Sequence, residues 1–282
     1  MGLFGRERIE AKTPEQVMAM RAAGLVVGRT LELLRAQVRA GVTTGELDAL
    51  AESAIREAGA VPSFPLVPGY HHTLCTSVND EIVHGIPGGR VLHDGDLLSI
   101  DCGAILDGWH GDAAISVIVG GPQAARPEDV ALVEDTEDSL WAGIAALRAG
   151  ESLYAVGAAV EDSIVAAGER RGRGYGIVED YVGHGIGREM HMDPQVPNYR
   201  VTGKGPRVVE GTTVAIEPMV TLGDQDNRTL EDEWTVVTLD GQRAAHWEHT
   251  VAVTPSGLWV LTAVDGGAAR LSAAGAAYGP LG

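Results

Sequence analysis

SIDCGAILDGWHGDAA, residues Ser99–Ala114, reads as two apolar strands around a tight turn, interrupted by two carboxylates. Asp107-Gly108 is a strong two-residue type I′ turn signal, because that turn needs φ > 0 at both central positions. With this turn Leu106 pairs with Trp109, Asp101 faces Ala114 and Asp112 faces Gly103. Asp101 and Asp112 then share one sheet face as diagonal neighbours, roughly 5–8 Å apart. Ile100, Cys102, Ile105 and Ile115 flank them, so both carboxylates lose hydration and repel each other. No Lys or Arg occurs in the hairpin to offset them, which makes a divalent metal the fitting occupant.

Working outward, the hairpin is preceded by two capped helices. Thr13-Pro14-Glu15-Gln16 predicts an N-cap, a proline at the first helical position and a capping box, for a helix to about Val38 stopped by Gly41. Thr43 with Glu46 predicts a second, ending near Gly59. The order then recurs, with a helix from Pro127 to Arg148 and another after Ser152 to about Glu169. RAGVTTGELDALAESAIREAGA (39–60) aligns with RAGESLYAVGAAVEDSIVAAGE (148–169), sharing the Arg-Ala-Gly stop and an Ala-x-x-Glu-x-x-Ile-x-x-Ala-Gly face. A duplicated helix–helix–strands unit predicts one α+β domain over 13–264, with halves of about 13–120 and 121–264. Its sheet is curved and mainly antiparallel, with helices on the outer face. Residues 1–12 form an N-terminal arm, and the Gly/Ala-rich tail 265–282 is expected to fray.

Composition narrows the function. A chain of 282 residues that is 45% hydrophobic can bury a sizeable core. The net charge of −18 repels phosphate backbones, so nucleic acid is not an expected partner. The acidic runs 127–138 and 223–233 read as a solvated face and a surface loop. No apolar run is long enough for a membrane span, and the N-terminus has no signal-peptide core. Two cysteines, Cys75 and Cys102, are too few for a disulfide framework and suit reduced cytoplasmic surroundings.

Further ligand candidates lie downstream. VGHGIGREMH (182–191) sets His184 among glycines, with His191 seven residues on. TVAIEPMV (213–220) and AHWEHTVAV (245–253) place Glu217 and Glu248 in strand-like apolar runs, where a lone carboxylate is costly. Asp101, Asp112, His184, Glu217 and Glu248 therefore read as one constellation. Four carboxylates and one imidazole suit a catalytic pair of Mn, Fe, Co or Zn ions and a two-metal hydrolase.

IDCGAILDGWHGD, GHGIGREMH, AIEPM and HWEHT, in that order, resemble the methionine aminopeptidases of the pita-bread fold, from about Thr13 to Val264. The resemblance implies a fold of two related halves around a central site. It implies Asp101, Asp112, His184, Glu217 and Glu248 as ligands of two divalent ions. It also implies His191 beside the oxyanion, His84 near the scissile amide, and Glu217 as a proton shuttle. Tyr70, Cys75 and Trp234 would line the pocket for the methionine side chain, with His84, Met190 and His191 beside them. A thioether favours such aromatic and sulfur contacts. The implied activity is removal of N-terminal methionine from peptides and nascent chains, with small second residues preferred, by a cytoplasmic monomer acting in part at the ribosome.

Three places depart from that pattern. Gly103 stands where many type I members have Thr, and Met190 stands where an aromatic residue is common. PSFPLVPGYHH (62–72) carries Val67 and Pro68 where Tyr and His are frequent. The Asp-x-Gly form at 101–103 resembles prolidases and proline aminopeptidases, the first rival reading. Those typically add an N-terminal domain, for which a first helix at Pro14 leaves no room, and their final ligand contexts differ from Glu217-Pro218-Met219 and Trp247-Glu248-His249. A non-catalytic scaffold of the same fold is the second rival, disfavoured because all five ligand positions are filled. The short interval between Glu217 and Glu248 excludes the type II insertion, and no Cys/His-rich extension suggests a ribosome-docking zinc module.

Overall fold

A computed structural model of the chain describes residues 9–281. Most of the expected arm, residues 1–8, and Gly282 lie outside the described residues. Helix α1 spans Pro14–Gln37 and α2 Thr44–Glu57, each opened by the capping box the sequence predicts. Two further helices follow the strands of the first half, α3 over Pro127–Ala146 and α4 over Tyr154–Arg171. The left-handed Gly172 ends α4. Among the described residues, no helix is long and apolar enough to cross a membrane.

The strands Leu97–Leu106 and Trp109–Ile118 form the long hairpin in the register read from sequence, with Asp107 at φ 51° and Gly108 at φ 76°. On its other edge Leu97–Leu106 pairs with Leu74–Val78, over Leu98 to Cys102, and with Val61–Pro62, over Ala104 to Ile105. In the second half, a five-stranded antiparallel sheet has the order Gly257–Val260, His249–Thr254, Thr213–Ile216, Gly183–Gly185, Met192–Val196.

The halves meet where the site needs them. Glu248 N–H donates to the Ala114 carbonyl at 2.9 Å, and Ala114 N–H returns a bond at 3.3 Å. Thr250 Oγ1 accepts from Asp112 N–H at 3.1 Å and donates to the Asp112 carbonyl at 2.8 Å. These bonds lock the hairpin to the segment that carries Glu248, which leads into the strand His249–Thr254. One apolar core runs through both halves, from Leu34 and Ile55 through Ile100 to Val214 and Val251.

The tail departs from the sequence expectation. It does not fray: Ala268–Ala273 forms the short helix α5, and Leu271 is fully buried in the main core. Leu258 N–H donates to the Ala277 carbonyl at 2.8 Å, and Gly279 N–H to the Leu258 carbonyl at 2.9 Å. The tail thus covers the edge of the five-stranded sheet, satisfying backbone groups that an open edge would leave unpaired. Gly/Ala composition concealed this because few large apolar residues supply the anchor, Leu271 in the main core and Leu281 against the cluster of Val17, Met20 and Trp109.

Candidate functional site

Asp101 and Asp112 project from adjacent strands of the long hairpin onto one face, since Asp112 lies directly opposite Gly103. His184 sits between Gly183 and Gly185, where a Cβ would collide with the Ala215 and Asp193 carbonyls, so glycine lets the neighbouring strands close around the imidazole. His184 Nδ1 donates to the Gly185 carbonyl at 2.9 Å, which leaves Nε2 as the free acceptor. That Nε2 lies 3.5 Å from Glu217 Oε1. Glu217 follows the strand Thr213–Ile216, and Asn198 Nδ2 holds its carbonyl at 3.0 Å. Asp112, His184 and Glu248 each offer a ligand atom within 4.8 Å of the others, and all three are buried.

The electrostatics are those of a site built for positive charge. Asp101 is pushed up to about 7, chiefly by burial. Burial and then Asp101 raise Asp112 and Glu217, while burial and then Asp112 raise Glu248. Burial, then the neighbouring His191, lowers His184 to about 4, so the imidazole is neutral and free to coordinate. Asp101 Oδ1, Asp112 Oδ1, Glu248 Oε1 and His246 Nε2 are buried without a hydrogen-bond partner. Buried polar atoms of this kind are normally satisfied, and among the described residues no Lys or Arg lines the cavity. The donor set therefore fits divalent cations held by carboxylate and imidazole.

All eleven site residues named from the sequence line one cavity of about 290 Å³. Next to the carboxylates lies an apolar wall of Phe64, Tyr70, Cys75 and Met190, with Val67 and Trp234 packed on it. Cys75 pairs with Asp101 across adjacent strands, so this wall and the carboxylate cluster sit side by side in one sheet. Tyr70 donates to the Leu74 carbonyl at 2.7 Å and meets Trp234 edge-on at 4.9 Å between centroids. His191 stands beside His184 with ring centroids 4.4 Å apart. His84 adopts φ 59°, a left-handed backbone that costs a non-glycine residue about 1 kcal/mol or more. Its ring stacks edge-on against Tyr181 at 5.5 Å, and burial, then His191, lowers it to about 4.

Sequence reasoning missed Phe64, Tyr181 and His246, all of which line the cavity. His246 was accessible to it. It lies two residues before Glu248 in AHWEHT, and strand alternation puts the two on one face. Phe64 and Tyr181 carried no comparable signal, since their approach to the cavity depends on loop paths.

Carboxylates and imidazoles gathered beside an apolar pocket make a centre for metal-dependent hydrolysis. The profile of Metallopeptidase family M24 matches residues 18–255. Methionine aminopeptidase 1 of Mycobacterium tuberculosis is 52% identical over 261 residues, covering 92% of this chain and 97% of the relative. That of Bacillus subtilis is 44% identical over 256 residues, covering 91% and 100%. The solved methionine aminopeptidase from Thermotoga maritima superposes with a TM-score of 0.85 at 37% identity, covering 91% of this chain and all of that one. The chain belongs to metallopeptidase family M24, among its methionine aminopeptidases, and has their pita-bread α+β fold. An Xaa-Pro dipeptidase from Bacillus anthracis, 20% identical with a TM-score of 0.68 and covering 89% of this chain and 61% of that one, shares the fold alone.

Proposed function

We propose that the protein removes N-terminal methionine from peptides and nascent chains in the cytoplasm, acting as a monomer and preferring small second residues. The observation that carries this reading is the cross-strand pairing of Cys75 with Asp101, which sets a pocket suited to a thioether directly against the carboxylate cluster. Asp101, Asp112, His184, Glu217 and Glu248 would hold two divalent ions of the Mn, Fe, Co or Zn type. When bound, such ions supply Lewis-acid polarisation of the scissile carbonyl and water activated for attack at neutral pH.

The protein's own groups do the rest. The apolar wall with Tyr70, Cys75, Met190 and Trp234 grips the methionine side chain and fixes the scissile bond. His191, which burial keeps neutral at pH 7, donates its N–H to the oxygen that gains charge. His84, a lining residue of the cavity held on a left-handed backbone, orients the amide beyond the methionine. Glu217 takes the proton from the attacking water and passes it to the leaving amine.

The test compares Met-Ala-Ser with Ala-Pro-Ala, using the full chain loaded with Mn or Co. Release of free methionine from the first and no cleavage of the second is expected. Cleavage of only the second peptide favours the proline-directed rival and overturns the proposal. No turnover of either favours the non-catalytic scaffold.

A further inference from the structure

Gly103 lies between the two aspartates of the hairpin, two residues after Asp101 and directly across from Asp112. Strand alternation aims its missing side chain at the same face as both carboxylates. That space is already filled. A Cβ built on Gly103 would sit 3.0 Å from Phe64 Cε1 and 3.0 Å from Ser63 Cβ, closer than ordinary van der Waals contact. The Ser63–Phe64 step is pinned there. Ser63 N–H donates to the Gly103 carbonyl at 3.0 Å, and Ser63 Oγ meets His110 Nδ1 at 3.2 Å on the other strand of the hairpin. Phe64 is 6% exposed and meets Tyr70 edge-on, with centroids 6.4 Å apart.

We propose that Gly103 and Phe64 act as one specificity element, in which the absent side chain at 103 lets the Phe64 ring stand against the aspartate-bearing strand as the wall that gauges the substrate's N-terminal side chain. This rests on the methionine-specific reading above and deepens it. A rigid aromatic wall beside the carboxylates admits a slender, unbranched chain such as methionine or norleucine. It excludes broad ones such as leucine or phenylalanine, because a well-packed ring cannot yield without strain. Any side chain at 103 competes with the ring for the same volume. The two positions are therefore coupled: a larger residue at 103 requires a smaller one at 64. Phe64 touches the substrate, whereas Gly103 acts through Phe64.

The test is a double-mutant cycle with Gly103→Thr, Phe64→Ala and the pair, with Gly103→Ala as a milder variant should the threonine hinder folding. Steady-state kinetics use X-Ala-Ser peptides, where X is Met, norleucine, Leu or Phe, and melting temperature and bound metal are measured beside them. Gly103→Thr is expected to raise KM for the Met peptide by about tenfold or more, with kcat changed less. Phe64→Ala is expected to lose about tenfold in kcat/KM on Met while its relative rate on Leu and Phe rises. On the Phe64→Ala background the threonine should add little further loss, so the effects are strongly non-additive. Additive losses, or an unchanged Met-to-Leu ratio in Phe64→Ala, overturn the inference. So does loss of metal from Gly103→Thr, which would mean that position 103 acts on the aspartates and not on the pocket. A wild-type enzyme inactive on every Met peptide removes the underlying function as well, an outcome distinct from active variants that fail to couple.

Discussion

His246 Nε2 lies 3.7 Å from Glu217 Oε2, while the other oxygen of that carboxylate faces His184 Nε2 at 3.5 Å. Glu217 is thus bracketed by two imidazoles. Burial first, then His84, lowers His246 to about 3, so it is neutral at working pH. Its backbone N–H is held by Ser116 Oγ at 2.9 Å. A neutral imidazole in this place packs beside the Glu217 carboxylate without a direct hydrogen bond to it.

Replacing His246 by Ala should therefore lower kcat by about 10–100-fold with a smaller change in KM, the range seen when a partner of a metal-holding group is removed. His246→Gln, which keeps a donor, should recover part of the loss. Steady-state kinetics on Met-Ala-Ser read both effects, and an unchanged kcat in His246→Ala would show that Glu217 does not depend on this contact.

Metal stripping should make stability depend on pH in a defined direction. Burial raises the folded-state affinity of Asp101, Asp112, Glu217 and Glu248 for protons, Asp101 to about 7. In the unfolded chain such groups titrate near 4. Between about pH 4 and 7 the folded, metal-free protein binds the extra protons, so these groups lower its stability as pH rises. The half-buried histidines His84, His110 and His249, each lowered to about 4, act oppositely below about pH 6.5. They are common to the stripped and loaded forms and cancel in the difference. The gain in melting temperature on adding Mn to chelator-treated protein should therefore grow from pH 5 to pH 7.5. A gain that is flat or shrinks with pH would contradict the carboxylate origin of the effect.

Leu271→Ala should destabilise the protein by about 2–5 kcal/mol, because the side chain is fully buried in the main core. Chemical denaturation of metal-loaded protein measures it. A loss under about 0.5 kcal/mol, the level of surface substitutions, would mean that the tail contributes nothing to the fold.

Much of this architecture is written locally. Asp107-Gly108 demands a left-handed turn, and that turn alone fixes which residues face Asp101 and Asp112. Thr13 with Gln16 and Thr43 with Glu46 mark two helix starts to the residue, because capping is a contact between neighbours in sequence. All eleven site residues named from the sequence line one cavity: Asp101, Asp112, His184, Glu217 and Glu248 are marked by carboxylates or an imidazole set in apolar or glycine-rich runs, and Tyr70, Cys75, His84, Met190, His191 and Trp234 by the family resemblance.

What stayed hidden depends on distant packing. Leu271 and Leu281 are isolated apolar residues in a Gly/Ala tail, and their docking depends on the core they meet and on the open edge beside Leu258. Phe64 comes to the cavity because Gly103, far along the chain, has no side chain. The oddity of each position was visible in the sequence, but their steric exchange was not.

The most direct measurement concerns Asp112, which lies with His184 and Glu248 where ligand atoms converge within 4.8 Å. Asp112→Asn keeps the shape and removes the charge. Calorimetric titration with Mn, beside metal analysis and turnover of Met-Ala-Ser, should show metal affinity reduced by more than about 100-fold and activity lost with it, since even outer-shell substitutions cost about 10–100-fold. Wild-type metal binding with retained turnover in Asp112→Asn would contradict a catalytic metal centre on the hairpin.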